Sequence, residues 1–450
     1  MSSTLVLQGL TFISGPIFSS RLGTDNYGIA AVYLTWVTLA STVFSLQAAG
    51  TLAVAQVNYP EDQQNAYQSS VLSLATISYF SFSLITIIIT TVGKIWFAFN
   101  LPMIALGLIQ GWGMYCVSTM NLKLTYEFKA DKNFVLSILT SGLTIGLSII
   151  LINYFPENNN YWGRILGQAI IYALIGFIVL FLLLRSGKTI YNKDYWRFTL
   201  PIAIPTIFHT LASIVLNQSD KIMLQGLINN SAAGIYALAA TFGSVMHSLW
   251  NAFNNSWVPF YYDYTKHNQT EEMRKHAKNY IELFTVMCMG FILLAKEVFH
   301  IYANIDFWSG TDLIPLFAIG HYFIFLYSFP VNYEFYNKKT KVIAIGTTIA
   351  AIMNIILNYL LICLCGIIGA VVATVLAHAL QFIFHYIIAN KMPDSEFPFK
   401  MKDFVPGCLF VFGTGIFYIF TKDIWLLRWG LGVCLGIYII VKIVRRREIF

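Results

Sequence analysis

The sequence predicts an all-α polytopic membrane protein, and three observations support this prediction. First, 57% of the residues are hydrophobic and only 11% are charged, whereas soluble domains carry about 25% charged residues. Second, apolar runs of roughly 18 or more residues recur along the chain, and each is long enough to cross a bilayer. Third, connections that are rich in Lys and Arg alternate along the chain with connections that hold few of them. This composition excludes an ordinary cytosolic enzyme, a disordered protein and a collagen-like protein.

Taken in order along the chain, the apolar runs predict fourteen transmembrane helices. Every connection between them is short, and the longest, residues 257–279, is too short for a soluble catalytic domain. We therefore expect a protein that acts within the membrane and is not an enzyme. The predicted spans are 4–20, 28–54, 69–92, 95–121, 134–155, 162–184, 199–226, 231–256, 280–303, 313–336, 343–364, 366–389, 404–421 and 424–443.

The distribution of Lys and Arg predicts the orientation of the spans. If the N-terminus is cytoplasmic, the inner connections and the C-terminal tail hold 21 of the 28 basic residues, and Lys221 lies within a span. Because positively charged loops resist translocation, this asymmetry predicts that both termini are cytoplasmic. The net charge of +7 therefore indicates topology and not affinity for nucleic acid. The outer side holds Arg21, Lys94, Arg164, Lys296, Lys422 and Arg428.

The six cysteines predict neither a disulfide framework nor a metal site. All of them lie within or beside apolar runs, whereas disulfides belong in outer loops. The Cys363-x-Cys365 pair has no neighbouring His or Cys that could complete a set of metal ligands. We expect no metal and no cofactor.

An internal repeat divides the predicted spans into two sets of six. Short motifs recur at the same places in spans 2 and 8, 5 and 11, and 6 and 12. Because six is even, both sets begin on the same side, which predicts parallel repeats related by an axis along the membrane normal. The matching pairs are Gly28 with Gly234 at an offset of 206, Asn153 with Asn358 at 205, and Gly163 with Gly369 at 206.

The repeat predicts an architecture and a mechanism. Residues 1–197 would form an N-terminal six-helix bundle, residues 198–392 a C-terminal six-helix bundle, and residues 393–450 a helix pair with a basic cytoplasmic tail. Two like-oriented bundles would enclose a central cavity. Rocking of one bundle against the other would open that cavity alternately to the two sides, which is alternating access.

Several motifs follow one another in a defined order over essentially the whole chain. They are Gly15-Pro16-Ile17 with Arg21-Leu22-Gly23-Thr24-Asp25-Asn26-Tyr27-Gly28, Trp196-Arg197-Phe198-Thr199-Leu200-Pro201 running on to Asn217-Gln218-Ser219-Asp220-Lys221, Ser231-Ala232-Ala233-Gly234-Ile235-Tyr236 with Trp257-Val258-Pro259-Phe260, and Asn337-Lys338-Lys339-Thr340-Lys341 followed by Asn354 and Asn358. In this order and spacing the chain resembles the polysaccharide (O-antigen-type) flippases, which belong to the multidrug/oligosaccharidyl-lipid/polysaccharide exporter superfamily.

The resemblance implies a secondary transporter in the bacterial inner membrane, with a cavity lined mainly by spans 1, 2, 7 and 8. Its substrate would be an oligosaccharide repeat unit on undecaprenyl diphosphate. The resemblance further implies a monomer, and it allows contacts with polysaccharide polymerase machinery. We expect H⁺ or Na⁺ as a coupling ion, because the sequence contains no P-loop motif for a nucleotide.

Two alternatives remain open from the residues. A cation-coupled multidrug antiporter of the same superfamily would need buried carboxylates, for which Asp220 is the candidate. A membrane-embedded polysaccharide polymerase or transferase would need a large outer loop with basic residues or acidic loop motifs, which the short connections do not provide.

The candidate substrate-binding residues are polar groups placed within or beside spans, where they are costly unless they face a cavity. Asp220 and Lys221 lie in span 7, and they are either a structural ion pair or contacts for substrate or ion. Arg21, at the outer end of span 1, has the fork geometry that suits a diphosphate. Alternatively, Arg21 is an interfacial anchor or a partner of Asp25.

Amides and imidazoles supply further candidates. His209 and Asn217 share one face of span 7, where they either hydrogen-bond another helix or line the cavity. A polar stripe at helical spacing on span 8 predicts a wet wall that can bind sugar hydroxyls, and it consists of His247, Asn251, Asn254 and Asn255.

The last group of candidates concerns ion coupling. Asp220 and His378 are the predicted coupling residues, because His titrates near physiological pH and shares a face of span 12 with Gln381 and His385. Glu334 lies four residues before Lys338 at the inner end of span 10, which predicts a surface ion pair.

Overall fold

The computed structural model describes residues 2–93, 99–392 and 397–446, and it is helical throughout these ranges. Lys94, Arg447 and the predicted start of span 4 at residue 95 lie outside the described residues. The helices are α1 (Ser2–Phe44), α2 (Leu52–Asn58), α3 (Glu61–Val92), α4 (Leu101–Tyr126), α5 (Ala130–Ile152), α6 (Tyr161–Gly187), α7 (Lys193–Leu227), α8 (Asn230–Lys266), α9 (Thr270–Tyr302), α10 (Ile314–Tyr336), α11 (Thr340–Cys365), α12 (Ile367–Asn390), α13 (Met401–Thr421) and α14 (Trp425–Arg446).

Helix α1 contains the first two predicted spans, and Gly23 separates them. At this residue φ is 65° and ψ is 175°, a conformation essentially restricted to glycine. The two parts of α1 together with α3 to α14 make fourteen long helices in the described residues, as predicted. Within the described ranges, twelve helices are long and apolar enough to cross a membrane when α1 is taken as one. Helix α9 is not among them, and charged residues stand both in its first turns and at Glu282, Lys296 and Glu297.

The predicted second span is wrong in its last ten residues. Helix α1 ends at Phe44, and the backbone then turns through left-handed conformations at Leu46 and Gln47. A short 3-10 turn (Ala48–Thr51) and α2 follow. Hydropathy could not show this break, because the residues of α2 continue the apolar composition of α1.

The chain divides into two compact units. The N-terminal unit comprises Met1–Gln225 and Asn229–Gly234, and the C-terminal unit comprises Gly226–Ile228 and Ile235–Phe450. Helix α7 therefore groups with the N-terminal unit, whereas the repeat assigned it to the second bundle. The predicted boundaries at 197 and 392 stay predictions.

In the N-terminal unit, α4 and α6 approach closely because glycines lie at their contact. A Cβ atom on Gly113 would lie 2.1 Å from the Tyr172 carbonyl oxygen, and one on Gly176 would lie 2.7 Å from the Gly113 Cα. Such small residues let helix backbones pack tightly within a membrane. The adjoining core holds the buried rings of Tyr67 and Trp112.

In the C-terminal unit, aromatic rings join α9 and α10, and a buried ion pair joins α9 to α14. The rings of Phe284 and Phe325 stack with centroids 4.4 Å apart. The Arg428 guanidinium is fully buried, pairs with Glu297, and donates through Nη1 to the Leu293 carbonyl at 2.7 Å. The sequence assigned Arg428 to the outer side, which stays a prediction, and the structure adds that its side chain is buried.

Candidate functional site

A cationic cluster in the N-terminal unit forms where α1, α6 and α7 come together. Arg164 lies in the first turn of α6, and its guanidinium carbon is 4.5 Å from the ring centroid of Phe18 and 4.7 Å from that of Tyr27. Both rings belong to α1, one on each side of the break at Gly23. The rings hold the guanidinium by cation–π attraction, which leaves its N–H groups available.

Two guanidinium nitrogens of Arg164 lack partners. Its Nε and Nη1 atoms are buried, and neither has a hydrogen-bond partner among the described residues. A buried donor without an acceptor is costly, so such a group is expected where a ligand supplies the acceptor. Sequence reasoning counted Arg164 only as an outer basic residue, although its position one turn inside span 6 was an available signal.

Lys221 and Asp220 bring α7 into the cationic cluster. The Lys221 ammonium donates to the Gln218 Oε1 atom at 2.6 Å, and it interacts electrostatically with both Asp220 and Arg164. Asp220 is 1% exposed. Adjacent side chains on a helix point about 100° apart, so Asp220 and Lys221 do not pair face to face, and the interaction between them is electrostatic.

Arg21 lies on the same stretch of α1 but makes different contacts. Its Nη1 atom donates to the Asn153 Oδ1 atom at 2.8 Å, at the end of α5. Its carbonyl oxygen accepts a hydrogen bond from the Asn160 side chain at 2.8 Å. Within the described residues Arg21 and Asp25 do not form the ion pair that the sequence had left open. The Arg21 guanidinium is exposed and keeps further donors.

The beginning of α8 packs against α1 within the N-terminal unit. A Cβ atom on Gly28 would lie 1.9 Å from the Asn230 carbonyl oxygen, and one on Gly234 would lie 2.0 Å from the Thr24 carbonyl oxygen. The Ser231 hydroxyl donates to the Thr24 hydroxyl at 2.7 Å. Gly28 and Gly234, which the repeat had matched by position, thus lie at one close helix crossing.

Asn217 and His209, the candidate residues of α7, make no hydrogen bond to another helix within the described residues. Asn217 is exposed and donates through Nδ2 to the Ser213 carbonyl oxygen of its own helix at 2.8 Å. His209 is partly exposed, and its Nδ1 atom has no hydrogen-bond partner among the described residues. Pro201 and Pro205 lie inside the same helix, before His209.

In the C-terminal unit, the polar stripe of α8 separates into two faces. Asn255 is exposed and donates to the Asn251 Oδ1 atom at 3.3 Å. Asn254 instead accepts a hydrogen bond at 3.0 Å from Asn332 of α10. The ring of His247 packs against Trp250 of its own helix. Only part of the stripe therefore presents polar groups away from α10.

Buried imidazoles connect α8, α10 and α12 in this unit. The ring centroid of His247 is 5.7 Å from that of His321, and His321 interacts electrostatically with His378. The His378 Nδ1 atom lies 3.4 Å from the Gln381 Oε1 atom. Sequence reasoning missed His321, because a single His in an apolar span gives no signal of its partners.

The predicted surface pair of Glu334 with Lys338 is wrong. Glu334 is fully buried, and its Oε2 atom lies 2.7 Å from the Nδ1 atom of His385 on α12. Lys338 is exposed beyond the end of α10. The helix spacing suggested a local partner, but the packing of α10 on α12 supplies a closer one.

A cavity of about 960 Å³ lies between α9, α13 and α14. Its lining combines basic residues with the carboxylates of Glu271, Glu282 and Asp403, and its apolar wall includes Ile281, Met289 and Phe410. The basic residues are Arg274, Lys275, Lys278 and Lys402. Among the described residues, no group of three or more His, Cys, Asp or Glu side chains could hold a metal ion.

Comparison with known families gives a match over the first 265 of the 450 residues. The family model described as "Polysaccharide biosynthesis protein" matches residues 1–265. "Lsg locus putative protein 1" of Haemophilus influenzae is 23% identical over 79% of this chain and 86% of its own length. An uncharacterized membrane protein of the same organism is 23% identical over 76% of this chain and 83% of its own.

Comparison with solved structures identifies the fold. The lipid II flippase MurJ, in an inward closed conformation, superimposes with a TM-score of 0.71 at 15% identity, covering 99% of this chain and 98% of that one. An inward-facing multidrug resistance transporter of the MATE family in the MOP superfamily gives a TM-score of 0.59 at 13% identity, covering 90% and 95%. The chain therefore has the fold of these membrane transporters.

Proposed function

Because the chain belongs to the polysaccharide biosynthesis protein family, we propose that it flips an undecaprenyl-diphosphate-linked oligosaccharide repeat unit across the bacterial inner membrane. The transporter fold and the multi-pass helices support a flippase-type protein. In this proposal transport proceeds by alternating access, both termini are cytoplasmic, and the lipid anchor stays in the bilayer while the head group crosses.

The observation that carries the proposal is the cationic cluster of Arg164 and Lys221. A diphosphate offers several anionic oxygens, and a guanidinium can donate two parallel hydrogen bonds to such a group. The Nε and Nη1 atoms of Arg164 are buried and have no hydrogen-bond partner among the described residues, so their N–H groups are available to different oxygens of a diphosphate. Arg21 would add a second guanidinium, since it donates only to a neutral amide among the described residues.

Sugars require hydroxyl and amide partners rather than charges. The exposed face of the α8 stripe, Asn251 with Asn255, offers amide donors and acceptors for hydroxyl groups. Asn217 and His209 on α7 offer the same chemistry. In this proposal the cationic cluster binds the diphosphate and the amides bind the oligosaccharide.

A drug or cation antiporter is the second candidate, because the fold is shared with a multidrug transporter. Such a protein would use the buried carboxylate of Asp220 to bind a cationic substrate. The ammonium of Lys221, which interacts electrostatically with Asp220, disfavours this assignment because a cation beside the carboxylate repels a cationic substrate.

The experiment that tests the proposal is reconstitution into liposomes with a defined undecaprenyl-diphosphate-linked glycan. Transfer between leaflets is scored by access of an impermeant enzyme that cleaves the glycan. We expect transfer that depends on the protein, and no comparable transport of organic cations. Absence of transfer for several such glycans, with transport of a cationic drug, would overturn the proposal in favour of the antiporter.

A substitution at Arg164 tests the cationic cluster itself. We expect Arg164→Gln to reduce transfer at least tenfold, because loss of a charge-assisted hydrogen bond costs about 1.5–3 kcal/mol. Arg164→Lys should recover part of the rate, since it keeps the charge without the fork. The matched control is Arg185→Gln on the same helix, where the guanidinium is exposed. Equal rates for Arg164→Gln and the control would exclude Arg164 from the site.

A further inference from the structure

The buried pair of Glu334 and His385 lies apart from the cationic cluster and has no role in the function proposed above. Glu334 is on α10 and His385 on α12, and both side chains are 0% exposed. The Nδ1 atom of the imidazole lies 2.7 Å from the Oε2 atom of the carboxylate. This distance is that of a strong, charge-assisted hydrogen bond.

The charge of the pair depends on its protons. A single buried charge is costly, so the pair is stable when its net charge is zero. It is neutral when a protonated imidazole faces a carboxylate, or when a neutral imidazole faces a protonated carboxyl. Both forms contain the same number of protons, and loss of one proton leaves a lone buried negative charge. The proton therefore belongs to the pair as a unit.

The two outer atoms of the pair have no partners. The Oε1 atom of Glu334 and the Nε2 atom of His385 are buried and lack a hydrogen bond among the described residues. In a merely structural ion pair these atoms would be satisfied, because each unsatisfied buried group is costly. An acceptor and a donor that are both unpartnered are what a site needs to take up a proton and to release it.

Gly346 of α11 provides the space for the imidazole. A Cβ atom at this position would lie 2.2 Å from the His385 Nε2 atom. The ring of Tyr327 packs on the other side, with its centroid 5.1 Å from that of His385. The imidazole is thus held between α10 and α11 by packing, so its position does not depend on the ion pair alone.

We infer that Glu334 and His385 form a proton-binding site that couples a proton gradient to transport. The ligand is a proton, taken from water on one side and returned to water on the other, with no other bond formed or broken. The coupling role rests on the proposed flippase function, whereas proton binding itself does not. Neither Asp220 nor His378, the residues predicted for coupling, belongs to this pair.

A series of titratable and amide side chains leads to the pair from α8. His378 lies seven residues before His385, so both face the same side of α12. Gln381 lies between them and is 3.4 Å from His378. His321 and His247 continue the series to α10 and α8 by the contacts described above. The series places further groups that can carry a proton near the same side of α12 as the pair, within the C-terminal unit.

Other ionisable groups on the surrounding helices do not substitute for the pair. Tyr327 interacts electrostatically with Glu334, and a phenol stays neutral in the physiological range. The charged groups nearest the same ends of the neighbouring helices are exposed, where solvent screens them. The groups on the packed elements are Lys278 and Tyr280 on α9, Tyr333 and Lys338 at the end of α10, Lys341 on α11, Tyr386 on α12, and Lys402 and Asp403 on α13.

The first experiment measures proton binding without any transport substrate. Purified protein in detergent is shifted in pH in weak buffer, and proton uptake is counted with an indicator dye. We expect Glu334→Gln to take up about one proton fewer per molecule than the wild type, because the amide removes one proton-binding group of the pair. Lys338→Gln is the control, since it alters the helical neighbour that the sequence had suggested. Equal uptake by Glu334→Gln and the wild type would overturn the site.

The second experiment measures coupling in proteoliposomes. A pH gradient should accelerate glycan transfer by the wild type and by Lys338→Gln. Glu334→Gln and His385→Gln should lose this acceleration and retain transfer without a gradient. Acceleration that persists in folded Glu334→Gln would overturn the coupling role. Proton uptake by the wild type without transfer of any glycan would refute the proposed function and leave the proton site standing.

A third variant decides the outcome if the polar substitutions fail to fold. Gly346→Ala displaces the His385 ring without removing a titratable group. We expect it to change the proton uptake and to weaken the acceleration by the gradient, while a symmetric elution profile reports the fold. Wild-type behaviour of folded Gly346→Ala in both assays would contradict the inference.

Discussion

At the scale of single residues, three charged side chains show how this protein stabilises charge among packed helices. Arg428 is neutralised by Glu297 and satisfied by backbone carbonyls. Glu334 faces the imidazole of His385. Arg164 lies on the rings of Phe18 and Tyr27, with two nitrogens unpartnered. The polar atoms of Arg428 have hydrogen-bond partners, as in a structural ion pair. Arg164 and the Glu334–His385 pair each have atoms without a partner among the described residues, which makes them candidates for ligand binding.

The Arg428 pair predicts a difference in stability between two carboxylates. Glu297→Gln leaves the Arg428 guanidinium buried without its counter-charge, and we expect a loss of about 2–3 kcal/mol of stability. The control is Asp423→Asn, which breaks the ion pair between Lys296 and an exposed carboxylate. We expect a much smaller loss of stability for this variant, because solvent screens an exposed pair. Thermal unfolding in detergent measures both. A Glu297→Gln protein as stable as the control would show that Arg428 contributes little.

The Asp423 carboxylate adds a dependence on pH. The hydrogen bond from Lys296 holds the pKa of Asp423 below its ordinary value. A carboxyl group whose pKa is depressed in the folded protein contributes stability above its unfolded pKa and loses it as the pH falls through the folded one. The contribution of this connection between α13 and α14 is therefore present at neutral pH and declines only in acid.

At the scale of elements, the break in α1 positions the cationic cluster. Phe18 and Tyr27 lie on opposite sides of Gly23, and both contact the Arg164 guanidinium. The change of direction at Gly23 allows one helix to present both rings to α6. Further along α1, the close approach of Gly28 to Asn230 holds the start of α8 against this helix. Backbone conformation at one glycine thus determines how the Arg164 guanidinium on another helix is held.

A substitution at Gly23 tests this role of the backbone. A Cβ atom at this position would meet no other atom within 4 Å, so any effect of Gly23→Ala comes from the positive φ. We expect a loss of about 1–3 kcal/mol of stability, because that conformation is essentially restricted to glycine. Gly142→Ala in α5, also in open space, should be neutral or slightly stabilising. If thermal unfolding gives equal stabilities, the break in α1 does not depend on the glycine.

At the scale of the whole molecule, the fold is that of a multi-pass transporter, and its orientation remains a prediction. The orientation follows from the basic residues of the inner connections, which resist translocation. In that orientation the turn between α11 and α12 faces outward, and the turn between α10 and α11 faces the cytoplasm. These two turns lie at opposite ends of α11, so a cysteine placed at each end reports on one side of the membrane.

Cysteine labelling from outside the cell tests the orientation. Cys365 is an exposed free cysteine at the end of α11, and we expect an impermeant maleimide to label it in intact cells. A variant with Asn337→Cys and no other cysteine should be labelled only after the membrane is permeabilised. Cys116 is buried and serves as the unreactive control. Labelling in the opposite order would invert the predicted topology.

Much of the fold was predictable because hydropathy is a local property. A helix needs about 20 apolar residues to cross a bilayer, so the number of long helices could be counted from the sequence. The break at the end of α1 was not predictable in the same way. The residues after Phe44 remain apolar, and left-handed backbone at Leu46 and Gln47 leaves no mark in composition.

Less of the candidate site was predictable, because a site depends on which helices meet. Asp220 and Lys221 were recognised because charges inside a span are rare. Arg164 and His321 were missed, since their significance comes from neighbours on other helices. The pairing of Glu334 was predicted wrongly, because an i,i+4 rule describes an isolated helix and not one buried against α12.

The sequence by itself determined that this chain consists of long helices, most of them apolar enough to cross a membrane, because most spans carry their own apolar signal. The tertiary structure decided which charged groups are satisfied and which are open. Burial makes the electrostatic partner of a charge matter far more than its position along the chain. That partner, whether an aromatic ring, a carboxylate or an imidazole, is set only when distant helices pack together.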